Sequence, residues 1–378
     1  DRETSKFQNK AIQLINFEGP KFVLNQEAME MLKSIKEEII VVSIVGKART
    51  GKSFLLNTLL ELNGKAEGFE VDSTINSCTK GIWIWGNVKK RDGNNAKIIF
   101  IDSEGTSSID RSTRTYDSKI FALVVLMSSM FLYNTTSNID EQGISELSLA
   151  AHLSNSIAVD SKLNSNNQSE TKDSILSELA PKFLWVIRDF SLEKVHPDTG
   201  ELISSKEYLE ICLSKKISGK NSNENNIIRE NIIKYFHDRD CVTLGRPIDS
   251  EDDLKNLKKV AFSQLNPEFK SDILAMKSEI YKHSQSKRFQ GKKLTGASLF
   301  ELINIFVKTI NEGGVPNISN AWESVIMNDI NDHYQKALNI YTALEKEYSD
   351  LFRPERKVTE SIPYEELVKR LTTAKKES

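Results

Sequence analysis

Eight consecutive residues, Gly46-Lys47-Ala48-Arg49-Thr50-Gly51-Lys52-Ser53, fit the spacing G-x-x-x-x-G-K-[ST]. The two glycines allow backbone conformations closed to residues with a Cβ, so successive N–H groups can turn inward toward phosphate oxygens. Lys52 can reach the terminal phosphates as a point charge, and the Ser53 hydroxyl is the expected Mg²⁺ ligand. Arg49 and Thr50 lie within this loop and Phe54 follows it, and all three are counted among the expected nucleotide-binding residues. A second junction, Ile101-Asp102-Ser103-Glu104-Gly105, places a carboxylate after an apolar run. That is the position from which an aspartate holds Mg²⁺ in phosphoryl-transfer sites.

The elements around these residues are the ones such chemistry needs. Ile39 to Leu60 reads as buried strand, phosphate loop and helix, and the helix N-terminus adds a positive dipole under the loop. Lys21 to Leu24 is a short strand, with Asn25 as N-cap of a helix from Gln26 to about Lys36. Gly81 to Asn87 and Ala96 to Ile101, joined by Arg91-Asp92-Gly93-Asn94-Asn95, read as a hairpin. The expectation is one antiparallel pair at the edge of an otherwise parallel sheet. Ile120 to Tyr133, IFALVVLMSSMFLY, is too short to span a bilayer and reads as a buried core helix. Lys182 to Asp189 and Cys241 to Leu244 read as further strands, the second ending in Gly245-Arg246-Pro247.

Asp160 to Ser174 and Lys215 to Asn226 are rich in Asn, Ser and Lys and read as surface loops. From Asp253 the pattern is helical, with segments at Asp272 to Lys287, Ser298 to Glu312, Ile318 to about Phe352, and Pro363 to Lys375. Gly313-Gly314 and Pro316 interrupt it. The expected fold class is therefore α/β, a phosphate-loop domain with a mostly parallel central sheet flanked by helices, followed by the start of an all-helical domain. The boundary is set at residues 1–313 and 314–378, and the helical part reads as cut short.

Composition limits the partners. The chain has 378 residues, 39% hydrophobic and 28% charged, with a formal net charge of −2, which leaves no general footprint for nucleic acid. Three cysteines, Cys78, Cys212 and Cys241, are odd in number and lack metal-ligand spacing. This favours a reducing, cytoplasmic compartment over a disulfide framework. The first residues are polar, without a secretory apolar region, so Asn134-Thr135-Thr136 is a sequon not expected to carry glycan, and the missing initiator Met reads as a trimmed chain.

Taken together, these motifs resemble the guanylate-binding proteins, large GTPases of the dynamin superfamily, and more distantly the atlastins. The resemblance runs from Phe22 through the helix at Ala321. Beyond the phosphate loop it rests on Ser73-Thr74, Ser77-Cys78-Thr79-Lys80-Gly81-Ile82-Trp83-Ile84-Trp85, Asp102-Ser103-Glu104-Gly105 and Arg188-Asp189-Phe190-Ser191. The last block stands where Ras-like GTPases have N-K-x-D.

The resemblance implies Mg²⁺-dependent hydrolysis of GTP to GDP, with GMP a further product in some relatives, and pairing of two GTPase domains into a homodimer. It makes Arg49 an arginine finger supplied in cis, Thr79 the switch threonine on Mg²⁺ alongside Ser53 and Asp102, and Ser77 and Glu104 the residues that orient the attacking water. Asp189 becomes the reader of guanine, since a carboxylate can accept from both N1–H and N2–H₂. Read from the residues alone, Arg188 and Asp189 form a surface ion pair. Arg246 and Pro247 fall in the stretch that resembles the guanine cap, where Gly245 and the acidic run Asp249-Ser250-Glu251-Asp252-Asp253 depart from the family pattern. An atlastin-like membrane-tethering GTPase and a nucleotide-binding scaffold of low turnover are the alternatives, and peripheral membrane association is left open for the longer protein. Trp83 and Trp85 alternate with isoleucines and read as core packing.

Overall fold

A computed structural model of the chain describes residues 9–19, 21–65, 67–71, 81–90, 95–103, 105, 111–147, 180–215, 222–289, 292–314 and 318–351. The chain divides into two compact units, Asp1–Ala321 and Trp322–Ser378.

The first unit is built on a nine-stranded sheet. Its strands are β1 Ala11–Glu18, β2 Lys21–Leu24, β3 Ile39–Gly46, β4 Ile82–Trp85, β5 Lys89–Lys90, β6 Lys97–Ser103, β7 Met130–Thr136, β8 Lys182–Arg188 and β9 Arg239–Thr243. They lie in the order β2-β1-β4-β6-β3-β7-β8-β9, with β5 paired to β6. The run from β6 to β9 is parallel, and β3 at its centre is buried at every residue. A strand covered on both faces cannot alternate, which is why IIVVSIVG is continuously apolar but for Ser43.

Helices cover the sheet: α1 Gln26–Ser34, α2 Lys52–Leu59, α3 Arg111–Met127, α4 Ser205–Leu213, α5 Ser222–Tyr235, α6 Glu251–Lys255, α7 Pro267–His283 and α8 Gly296–Asn311. Asn25 caps α1 by accepting from the Ala28 N–H at 3.3 Å, as its type and position predict. One large cluster joins α2, β3, β6 and α7 through Phe54, Leu55, Val42, Phe100, Phe269 and Ile273. A short two-stranded ribbon, β10 Arg288–Phe289 with β11 Lys292–Lys293, precedes α8. The last helix, α9 Ile318–Leu351, supplies the described part of the second unit. Among the described residues no helix is long and apolar enough to cross a membrane.

Three expectations need correction. The antiparallel part is larger than one hairpin: β4 pairs with β6 as expected, but β1 and β2 extend the same flank. β1 escapes a period-two reading because a bulge between Gln13 and Ile15 puts Leu14 and Ile15 side by side in the core. Ile120 to Tyr133 is not one helix, because α3 stops at Met127 and β7 begins at Met130. Ser128 bonds back to the Val124 carbonyl, while Ser129 donates to the Val41 carbonyl at 2.8 Å and accepts from the Val41 N–H at 3.1 Å. The two serines thus end a helix and start a strand inside an apolar run whose periodicity could not separate them. Finally, residues 222–226 of the expected loop form the first turn of α5. The expected loop at Asp160 to Ser174 and the helix at Pro363 to Lys375 lie outside the described residues.

Candidate functional site

The register of the parallel strands gathers the chemistry at one edge. Ile44 of β3 lies opposite Asp102 of β6, Gly46 opposite Asn134 of β7, Thr136 opposite Arg188 of β8, and Ile187 opposite Thr243 of β9. These are the carboxyl ends of the strands, where open α/β sheets take their ligands.

At the centre is the loop from β3 to α2. Gly51 is the N-cap of α2 at φ 77° and provides no side-chain acceptor, so the first N–H groups of the helix are uncapped by a side chain. A Cβ there would stand 2.9 Å from Arg188 Nη1, a second reason for glycine. Lys52 is only 6% exposed, and its ammonium donates to the carbonyls of Gly46 at 3.2 Å and Lys47 at 2.9 Å. The charge is thus kept inside the loop. Thr50 Oγ1 donates to the Lys47 carbonyl at 2.8 Å, which closes the turn. Arg49 is exposed at φ 66°, a left-handed backbone that a residue with a Cβ adopts only under local constraint. Lys47 pairs with Glu146 at 3.3 Å, and Glu146 also accepts from Tyr133 Oη at 3.1 Å.

Ser53 and Asp102, expected as metal ligands from two distant motifs, meet: Ser53 Oγ donates to Asp102 Oδ2 at 2.5 Å. Burial pushes the Asp102 carboxyl up to about 6, against the opposing effects of the Lys52 charge and the Ser53 hydrogen bond. Its second oxygen, Oδ1, is buried without a hydrogen-bond partner. A hydroxyl and a carboxylate are hard oxygen donors, and an orphaned carboxylate oxygen beside a phosphate loop is what Mg²⁺ would satisfy. The donor set fits the ion. Gly105 closes against the same loop, where a Cβ would fall 2.3 Å from Ala48 Cα and 2.8 Å from Lys52 Nζ. No larger residue fits that approach.

The base side differs from the reading of Arg188 and Asp189 as a surface ion pair. Arg188 is 4% exposed, its guanidinium donates to the Gly51 carbonyl at 3.3 Å, and it lies 5.7 Å from the ring centroid of Phe54 and 5.5 Å from that of Phe269. Desolvation lowers its pKa. It braces the phosphate loop from below. Asp189, one residue on, turns outward at φ 53° and is exposed. Arg246 pairs with Glu251 at 2.6 Å, and this bond, with the charges of Glu251, Asp189 and Asp249, raises its pKa. Pro247 is buried, and Asn266 holds the turn: its N–H donates to the Pro247 carbonyl at 2.8 Å, and its amide donates to the Arg246 carbonyl and to Asp249 Oδ1, each at 3.0 Å. The acidic run forms the short helix α6, capped by Ser250.

Ser77, Thr79 and Glu104 lie outside the described residues. Trp85 is buried and Trp83 packs at the margin of the same core cluster, as their alternation with isoleucine predicts. Two residues of this edge were not singled out as site residues from the sequence. Asn134 donates to the Thr50 carbonyl at 2.9 Å and had only a sequon to mark it. Phe269 comes from α7, far along the chain, with no local signal.

Residues 19–289 match the family model described as guanylate-binding protein, N-terminal domain, and residues 290–350 match guanylate-binding protein, C-terminal domain. Human guanylate-binding protein 6 is 34% identical over 333 residues, 87% of this chain and 51% of that protein. Human guanylate-binding protein 4 is 36% identical over 325 residues, 84% of this chain and 49% of that protein. Mouse guanylate-binding protein 1 is 34% identical over 331 residues, 87% of this chain and 54% of that protein. The chain thus spans about half the length of these curated relatives. With a family model covering most of its residues, the chain belongs to the guanylate-binding protein family.

Proposed function

We propose that this chain is a Mg²⁺-dependent GTPase module that hydrolyses GTP to GDP, with product analysis deciding whether GMP follows, and that two copies pair through their GTPase domains at residues 1–313. The observation that carries the reading is the bonded constellation of buried Lys52 and Asp102 with half-buried Ser53 at the N-terminus of α2, in a chain of this family. Bound Mg²⁺ would supply neutralisation of charge on the phosphates, held by Ser53, Asp102 and Thr79. Lys52 exchanges its loop carbonyls for phosphate oxygens. The N–H groups at the start of α2 bind the same oxygens, and Asp189 accepts from the guanine edge. Arg49, exposed on the loop beside them, turns toward the γ-phosphate as charge develops, and Ser77 and Glu104 hold the attacking water.

The test is a turnover assay at several protein concentrations with products resolved by chromatography. Phosphate release from GTP in preference to ATP, rising in specific activity with protein concentration, is expected, as is loss of nucleotide binding on Lys52→Ala. Equal turnover of both nucleotides, or unchanged binding by the Lys52 variant, overturns the reading.

A further inference from the structure

Asn134 ends up at the phosphate loop although nothing in its local sequence points there. It is fully buried near the end of β7, so the sequon it begins is closed to glycan in the folded chain. Its Nδ2 donates to the Thr50 carbonyl at 2.9 Å, while its Oδ1 is buried without a hydrogen-bond partner. The amide orientation is fixed by chemistry, because a carbonyl can only accept.

A trans peptide is planar, with its C=O and the following N–H pointing in opposite directions. Holding the Thr50 carbonyl toward β7 therefore turns the Gly51 N–H away from the sheet and toward the mouth of the loop. Arg188 does the same for the next plane, donating to the Gly51 carbonyl at 3.3 Å and so setting the direction of the Lys52 N–H. That carbonyl also accepts from Leu55 N–H at 3.0 Å. Two consecutive peptide planes are thus tied down by side chains from two adjacent strands. They follow directly on Arg49, whose φ of 66° needs such support.

The anchor is itself fixed. Thr135 Oγ1 accepts from Trp185 Nε1 at 2.8 Å, and Ser137 N–H donates to the Arg188 carbonyl at 2.8 Å, which locks the end of β7 to β8.

We propose that Asn134 is a positioning residue for phosphate recognition: by holding the Thr50 carbonyl it aims the Gly51 N–H at the nucleotide phosphates, and it takes no part in reading the base. The proposal rests on the phosphate-loop reading above. Its test is titration of wild type, Asn134→Asp and Asn134→Ala with fluorescent GDP and GTP analogues in Mg²⁺ from pH 5.5 to 8, alongside competition by GTP and ATP. Asn134→Asp keeps the size but sets a carboxylate against a carbonyl. It should weaken binding of both nucleotides by about 10- to 100-fold at pH 8, and recover toward wild type at pH 5.5, where a protonated carboxyl regains the donor. Asn134→Ala should lose less and show no recovery, and the GTP-to-ATP preference of both variants should stay as in wild type. The ratio to wild type at each pH removes the titration of Asp102 and of the phosphates themselves. Wild-type affinity in both variants, a loss in Asn134→Asp that does not recover at low pH, or a changed base preference would each overturn the assignment. If Asn134→Asp does not fold, a wild-type affinity of Asn134→Ala overturns it alone. Failure of the wild-type chain to bind GDP would instead strike the phosphate-loop reading itself.

Discussion

At the phosphate end of the site Lys52 and Asp102 are buried and Ser53 half-buried, and all three are already bonded, Lys52 to two carbonyls and Ser53 to Asp102, whereas at the base end Asp189 and Arg246 stand exposed on the rim. Between them lies Arg188, buried under the loop with its charge against two aromatic rings. Fixed dipoles and charges stabilise a transition state well because they need no reorganisation when charge develops. Exposed groups gain strength only when a ligand excludes water from them. On the proposed reading, the phosphate end serves the reaction and the base end chooses which ligand brings its phosphates there.

Arg49 gives the sharpest test of that division, because it is the exposed member of the phosphate end. Arg49→Ala should lower kcat by about 10³-fold or more while KM for GTP changes by less than about threefold, the signature of an interaction made only in the transition state. Steady-state kinetics would check it. A matching rise in KM would mean that Arg49 binds the ground state and that the whole loop works by uniform binding.

Asp189→Asn probes the other end. Replacing the carboxylate by an amide removes the charged acceptor proposed for the guanine donors, so the preference for GTP over ATP should fall by about 10- to 100-fold, with xanthosine triphosphate gaining in return. The turnover number for saturating GTP should change far less than in the Arg49 variant. An unaltered selectivity ratio, measured by competition, would remove Asp189 from base recognition.

How much of this could be read in the residues follows the same division. Lys52, Ser53 and the strand before them were legible because the motif and its flanking strand and helix are contiguous in the chain. Asp102 was legible because a carboxylate at a strand end keeps a fixed order in the chain after such a loop. Asn134 was not, since its partner Thr50 is 84 positions away and only a sequon marked it locally. Arg188 joined the expected nucleotide-binding residues only through the resemblance, and its residue type alone gave a surface charge, because its burial depends on Phe54 and Phe269, one on each side of it in sequence and both distant. The antiparallel flank was underestimated for a local reason, the bulge in β1, which breaks the alternation by which a half-buried strand is recognised.

A second buried lysine, outside the site, sets the scale of what burying such a charge costs. Lys287 is 4% exposed, and its ammonium caps the C-terminus of α3 by donating to the carbonyls of Leu126 at 2.8 Å and Val125 at 3.4 Å. Burial alone brings its pKa down to about 7. Above that pH the folded chain has released a proton that the unfolded chain keeps up to the ordinary lysine range. The unfolded state then binds more protons, so the contribution of this group to stability rises with pH from about 7 toward 10, by at most about 1.4 kcal/mol per pH unit. Below about 7 both states are charged, and the burial penalty is present in full. Chemical denaturation of wild type and Lys287→Met at pH 6, 7.5 and 9 would isolate this contribution, since all other titrating groups cancel in the difference. Wild type should gain on the variant between pH 7.5 and 9 and not below 7. A difference that stays constant would mean that the α3 carbonyls fully compensate the buried charge.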